Sequence, residues 1–205
     1  MWPVVHAERR ALVEDLVGLT DGEWETSSLC AGWAVRDVVA HLAATAGLSR
    51  TGFVREFVGA GFSVERIVER QLTQAREHDA SASLTALRSA VYCVASPPLP
   101  LITRVIEIVV HGEDIRRPLG IDHAYPTTSI ADAVSHLSGD RSSGGKKRLK
   151  GLTLAATDVE FSIGDGPLVE GPALALLLAA SGRSARLDEL SGPGASQLFN
   201  RIRQA

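Results

Sequence analysis

The sequence predicts a mainly α-helical protein with a small α/β region at its carboxyl end. Apolar residues recur every three or four positions from residue 3 to about residue 138, which is the spacing of helices with one buried face. A stretch rich in Gly, Ser and basic residues follows over 139–150. Beyond it, two short runs have the composition of strands and precede an apolar helix.

Three helices are predicted in the first part of the chain, over residues 3–19, 33–48 and 53–77. Pro3 suits the first turn of a helix, where its missing N–H costs nothing. Asp37 lies in the first turn of the second helix, where its negative charge interacts favourably with the helix dipole. We expect the third helix to break at residues 59–61, whose sequence is Gly-Ala-Gly.

Three further helices are predicted, over residues 84–94, 101–117 and 130–137. The prolines between residues 97 and 100 end the first of these, and Pro118 ends the second. Thr127 and Thr128 are favourable caps for the third.

The carboxyl-terminal part is predicted to contain two strands, over 152–157 and 159–163, and helices over 172–180 and 197–203. We therefore expect three parts: a helical bundle over residues 1–138, a flexible basic connector over 139–150, and a small α/β region over 151–205. The last part is too small to fold reliably alone, so we expect it to pack on the bundle.

Composition excludes several classes of function. The 205 residues are 45% hydrophobic and 22% charged, with a formal net charge of −3, which is typical of a globular protein. Such a balance does not suit nucleic acid as the partner. Because no apolar run approaches the roughly 20 residues that span a bilayer, we expect no membrane partner. The amino-terminal residues lack the pattern of a secretion signal, so a cytoplasmic location is expected.

Two of the six histidines occupy strongly apolar helices, where an imidazole without a partner is costly. His41 lies in the second predicted helix, and His111 ends an apolar run in the fifth. Glu107 precedes His111 by four residues and therefore shares its face of the helix. Three such residues would bind a divalent metal and leave a coordination position open, as in catalytic zinc sites. A hydrogen-bonded Glu–His pair and a buried His41 without metal are equally compatible with the spacing.

Two segments of the helical part carry a family resemblance. Residues 24–42 read WETSSLCAGWAVRDVVAHL, and residues 107–120 read EIVVHGEDIRRPLG. Together they resemble the motifs of the mycothiol-dependent maleylpyruvate isomerase family, whose members are DinB-like four-helix bundles. Two tail segments, GLTLAATD at 151–158 and GDGPLVEGPA at 164–173, are similar to the smaller α/β region of that family. The chain most resembles the short actinobacterial metal-binding members.

The resemblance implies a metal triad of His41, Glu107 and His111, the same residues that the apolar context selects. It implies a zinc-type ion and mycothiol as the thiol cosubstrate, with the metal-bound thiolate adding to a small electrophile. The activity implied is that of a thiol transferase or isomerase. A metal-binding protein with a regulatory or structural role, and a metal-dependent hydrolase using the same triad, are the alternatives.

Four residues near these motifs are further candidates. Asp114 would orient a metal ligand from outside the coordination shell. Arg116 and Arg117 would bind a carboxylate of the thiol or of the substrate, or else form ion pairs at the helix end. Cys30 precedes a helix amino terminus and would either approach the metal or act as a small buried residue.

The partners expected are a small thiol and an electrophile, with both a monomer and a homodimer compatible with the sequence. The tail after residue 150 is expected to be shorter than in the full isomerase. If that region completes the substrate site, maleylpyruvate itself need not be the electrophile.

Overall fold

Helices dominate the chain, as the sequence predicts. The computed structural model describes residues 1–76 and 79–204, which divide into two units, Met1–His123 and Ala124–Ala205. The predicted helix end at Glu77, and His78, lie outside the described residues. The helices of the first unit are α1 (Trp2–Asp15), α2 (Asp21–Trp24), α3 (Val35–Ala46), α4 (Arg50–Gly59), α5 (Val64–Arg76), α6 (Ala80–Ser89) and α7 (Ile102–Arg116).

Four of these helices form a bundle. The helix α3 packs against α6 and α7, and α1 packs against the same two helices, so each member has two neighbours. The core between them is aliphatic and includes Leu12, Val38, Leu87 and Val109, all of which are buried. The helix α5 covers another side of α3, and α4 contacts α5. The predicted break after Gly59 is confirmed, since α4 ends there and α5 begins at Val64.

The second unit combines helices with a three-stranded sheet. Its elements are α8 (Thr127–Gly139), α9 (Gly145–Leu149), β1 (Thr153–Ala156), β2 (Ser162–Ile163), β3 (Leu168–Gly171), α10 (Ala173–Ala180), a 3₁₀ turn (Leu187–Glu189) and α11 (Ala195–Arg203). The strand order is β2-β1-β3, with β1 antiparallel to β2 and parallel to β3. The apolar helix α10 packs on α8 and supplies the core of this unit.

Three features of the second unit differ from the sequence prediction. The β1–β2 hairpin was expected, but β3 was not, because its four residues lie between a turn and a helix. The division falls after His123 rather than at 138, because α8 packs with α10 in the second unit. Residues 139–150, where a connector without regular structure was expected, contain α9 with Leu149 buried, and the Asp140 carboxylate accepts hydrogen bonds from Ser142 and Ser143.

Among the residues that the structure describes, no helix is both long enough and apolar enough to cross a membrane.

Candidate metal centre

Two imidazoles meet where α3 packs against α7. His41 on α3 and His111 on α7 have ring centroids 5.0 Å apart, with the ring planes at 76°. The sequence placed these histidines on separate helices of one bundle, and the fold brings them side by side. Both belong to the first unit.

His41 is held as a neutral imidazole. Burial lowers the pKa of His41 to about 3, and electrostatic interaction with His111 and with Arg104 acts in the same direction. Its Nδ1 atom is buried and has no hydrogen-bond partner. A buried polar atom without a partner is costly, and a neutral imidazole is the form that binds metals. A neutral imidazole with a buried nitrogen that has no partner is chemically suited to bind a metal.

His111 is oriented by a buried carboxylate. Its Nδ1 lies 2.9 Å from Oδ2 of Asp114, whose side chain is fully buried. Since a carboxylate only accepts hydrogen bonds, Nδ1 of His111 carries the proton and Nε2 has the free lone pair. A carboxylate that holds the second nitrogen of a metal-binding histidine is the usual outer partner in zinc sites.

Cys30 joins this pair from the loop before α3. Its Sγ lies 3.0 Å from Oδ2 of Asp114 and 3.7 Å from Nδ1 of His111. Within the described ranges, Cys30, His111 and Asp114 form the group of possible ligand residues whose donor atoms all lie within 4.8 Å of one another. Sequence reasoning named Cys30 and Asp114 separately but did not foresee their contact, because they are 84 residues apart.

Glu107 has a different partner from the one predicted. Its Oε2 lies 3.0 Å from Nη1 of Arg104, one turn back on α7, and both side chains are largely buried. Arg104 also donates a hydrogen bond to the carbonyl of Thr45 on α3, at 3.2 Å. The predicted triad of His41, Glu107 and His111 is thus not a close donor group among the described residues, although its two histidines are adjacent.

The two candidate arginines at the end of α7 differ in burial: Arg116 is buried and Arg117 is exposed. Arg116 is buried, and its Nε donates to Oδ2 of Asp15 on α1 at 2.7 Å. This ion pair ties α7 to α1 and is of the kind that was the alternative to binding of a substrate carboxylate. Arg117 is exposed just beyond the helix.

A tight turn from Cys30 to Trp33 contacts both histidines. The N–H of Trp33 donates to the carbonyl of Cys30 at 3.0 Å, and Gly32 has φ +77°, as a type II turn requires at that position. The Trp33 ring lies edge-on to His41, with centroids 5.5 Å apart. The turn therefore contacts His111 through Cys30 and His41 through Trp33.

A polar cleft of about 440 Å³ lies beside this turn. Its volume is in the range of small-molecule sites. The Trp33 side chain lines this cleft and also contacts the His41 ring. The other lining residues are Glu25, Ser27, Ser28, Gly32, Ala34, Arg36 and Asp37.

Comparison with known proteins identifies the family of the chain. The family model described as mycothiol maleylpyruvate isomerase N-terminal domain matches residues 5–116, just over half of the chain. A search of curated proteins gives no match. Two solved structures share the fold: a mycothiol-dependent maleylpyruvate isomerase, with 16% identity and a TM-score of 0.70, and a histidine-to-alanine mutant of such an enzyme, with 14% identity and a TM-score of 0.69.

Each structural match covers 95% of this chain and 92% of the other. The expected shortening of the tail is therefore wrong, because the two chains correspond over nearly their whole lengths.

Proposed function

Because this chain belongs to the family of mycothiol maleylpyruvate isomerase N-terminal domains, we propose that it is a metal-dependent enzyme that uses mycothiol as its thiol cosubstrate. The reaction class is addition of the thiol sulfur to a small electrophile, as in an isomerase or a transferase. The observation that carries the proposal is the neutral, half-buried His41, whose Nδ1 is buried without a partner, beside the imidazole of His111.

The residues present fit a divalent metal of the zinc type. His41 and His111 would supply two imidazole ligands, and Glu107 is the third ligand implied by the family motif. Glu107 would need to exchange part of its contact with Arg104 for the metal. A bound metal would lower the pKa of a thiol so that it is a thiolate at neutral pH.

The remaining residues orient and shield this site. Asp114 holds the Nδ1 proton of His111, which directs the Nε2 lone pair away from the carboxylate. Trp33 covers one edge of His41. The cleft beside Trp33 has room for a small polar molecule, and Arg36 at its wall is paired with Glu25, another lining residue, at 2.7 Å.

The metal assignment is tested by elemental analysis of the purified protein after incubation with zinc and removal of unbound ions. We expect stoichiometric zinc in the wild type and strong loss in His41→Ala and His111→Ala. His136→Ala, in α8 of the second unit, is the matched control and should retain the metal. Wild-type protein without stoichiometric metal would contradict the assignment.

The thiol assignment needs a second assay. In the presence of mycothiol, zinc-loaded protein should convert a reactive electrophile, such as an activated alkene with a carboxylate, to its thiol adduct or to its isomer faster than the same mixture without protein. A protein that holds zinc but neither binds mycothiol nor accelerates its addition would argue for a non-catalytic role of the metal.

A further inference from the structure

The loop before α3 is stiffened by several hydrogen bonds. The Ser28 hydroxyl donates to the carbonyl of Trp33 at 2.9 Å and accepts from the Cys30 N–H at 3.1 Å. The Ser28 N–H also donates to the carbonyl of Trp33, and Ser27 pairs with Ala34 in an antiparallel bridge. The type II turn from Cys30 to Trp33 is therefore closed at its base.

This turn is also fixed to α7. The Leu29 N–H donates to the backbone carbonyl of Asp114 at 3.1 Å. One residue later, the Cys30 thiol donates to the Asp114 carboxylate at 3.0 Å, on the oxygen that lies 2.9 Å from Nδ1 of His111. The Cys30 thiol and Nδ1 of His111 both donate to Oδ2 of Asp114, whose side chain is not exposed to solvent. The Asp114 side chain thus depends on Cys30 as well as on His111 for its orientation.

We propose that Cys30 is a positioning residue of the metal centre: through Asp114 it holds the imidazole of His111 in the orientation that binds the metal. The turn that carries Cys30 also places Trp33 against His41, so one rigid segment sets both imidazoles. Cys30 acts through the carboxylate and is not itself a ligand. The proposal rests on the proposed function, because it requires that His111 bind a metal.

The alternative geometry, with Cys30 as a ligand, is less consistent with the contacts. The Cys30 sulfur is closer to the Asp114 oxygen than to His111, at 3.0 Å against 3.7 Å. In this arrangement Nδ1 of His111 is engaged by Asp114, so the nitrogen nearest to the sulfur is not available to a metal. A thiol that donates to a buried carboxylate has the role of an outer partner.

The test measures zinc affinity by competition with a chromophoric chelator. We expect Cys30→Ala to weaken zinc binding by about 10-fold or more, in the range seen when outer partners of metal ligands are removed. Cys30→Ser, whose hydroxyl can still donate to Asp114, should recover most of the affinity. Cys93→Ala is the matched control, since Cys93 is the other half-buried cysteine of the first unit and, like Cys30, forms no disulfide; this variant should bind zinc like the wild type.

Cobalt replacing zinc separates a positioning role from direct ligation. A thiolate ligand produces an intense charge-transfer band with cobalt in the near ultraviolet. We expect the wild-type and Cys30→Ser proteins to lack this band. A band in the wild type that Cys30→Ser abolishes would make Cys30 a ligand and overturn the proposal, as would zinc affinity of Cys30→Ala equal to that of Cys93→Ala.

A backbone substitution tests the turn without touching Cys30. Gly32 and Gly18 both have positive φ, at +77° and +88°, and a Cβ added at either would meet no atom within 4 Å. Ala at each position should therefore reduce stability by a similar amount. Only Gly32→Ala should also weaken zinc binding. Equal zinc affinity in the two folded variants would contradict the role of the turn, whereas a wild type that binds no zinc would contradict the proposed function instead.

Discussion

At the scale of single residues, His41 has a protonation state that can be measured directly. Burial lowers its pKa from an ordinary value of 6.5 to about 3, with electrostatic interaction with His111 and Arg104 adding to the effect. Between these two values the unfolded chain binds a proton that the folded chain does not. The free energy of unfolding therefore falls as pH decreases from about 6.5 toward 3.

We predict that metal-free wild-type protein loses stability through this window with a contribution that approaches about 1.4 kcal/mol per pH unit from His41. His41→Gln has no group that titrates there, so its stability should depend less steeply on pH. Urea unfolding of the two chelator-treated proteins at successive pH values measures how the free energy of unfolding of each depends on pH. Parallel curves for the two proteins would show that His41 is not held neutral.

The Arg104–Glu107 pair is the second residue-scale feature that can be tested. The two side chains are only 7% and 12% exposed, so removal of one charge leaves the other buried without its partner. We predict that Arg104→Met lowers the free energy of unfolding by about 3 kcal/mol. Arg10→Met is the matched control, because the Arg10–Glu14 pair is exposed and should contribute less than about 1 kcal/mol. Equal losses measured by urea unfolding would contradict this difference.

The residue types at the site were predictable, but their partners were only partly so. His41 and His111 stood out because each interrupts an apolar helix. Glu107 was paired with His111, which follows it by four residues. In the fold it pairs instead with Arg104, which precedes it by three residues. Spacing on one helix allows both pairs, and only the packing of α3 against α7 decides between them. The contact of Cys30 with Asp114 joins distant segments, so no local pattern could indicate it.

At the scale of elements, the start of α3 determines where His41 lies. Oδ2 of Asp37 accepts the backbone N–H of Ala34 at 3.0 Å, which satisfies a donor just before the first turn of the helix. We predict that Asp37→Ala lowers the free energy of unfolding by about 1–2 kcal/mol, through the lost bond and the lost charge at the helix dipole. Asp132→Ala, on the exposed face of α8, should change it by less than about 0.5 kcal/mol. Urea unfolding compares the two variants.

The longer elements followed from the sequence because periodicity and terminators agreed. The predicted helix over 101–117 corresponds to α7, and the one over 172–180 corresponds to α10. Short elements were missed: α2 and α9 contain four and five residues, too few for a helical period to be recognised. The strand β3 is stabilised by pairing with β1 rather than by its own composition.

At the scale of the whole molecule, the proposed metal binding would be coupled to folding. A ligand that binds only the folded state stabilises it by about 2.7 kcal/mol at a free concentration of 100 Kd. For a chain of this size we predict that zinc at that excess raises the Tm by roughly 5–10 °C. Chelator treatment should reverse the shift, and His111→Ala should abolish it. Thermal melts followed by circular dichroism measure this, and an equal shift in His111→Ala would place the metal elsewhere.

The central claim, that a metal held by His41 and His111 binds mycothiol, is tested most directly by isothermal titration calorimetry. Mycothiol would be titrated into zinc-loaded wild-type protein, chelator-treated wild-type protein and zinc-treated His111→Ala, with S-methylated mycothiol as the blocked control. The account predicts that mycothiol binds the zinc-loaded wild type. It predicts substantially weaker binding of mycothiol to the chelator-treated wild type and to His111→Ala, and of S-methylated mycothiol to the zinc-loaded wild type. Equal binding of mycothiol to all three protein samples would contradict it.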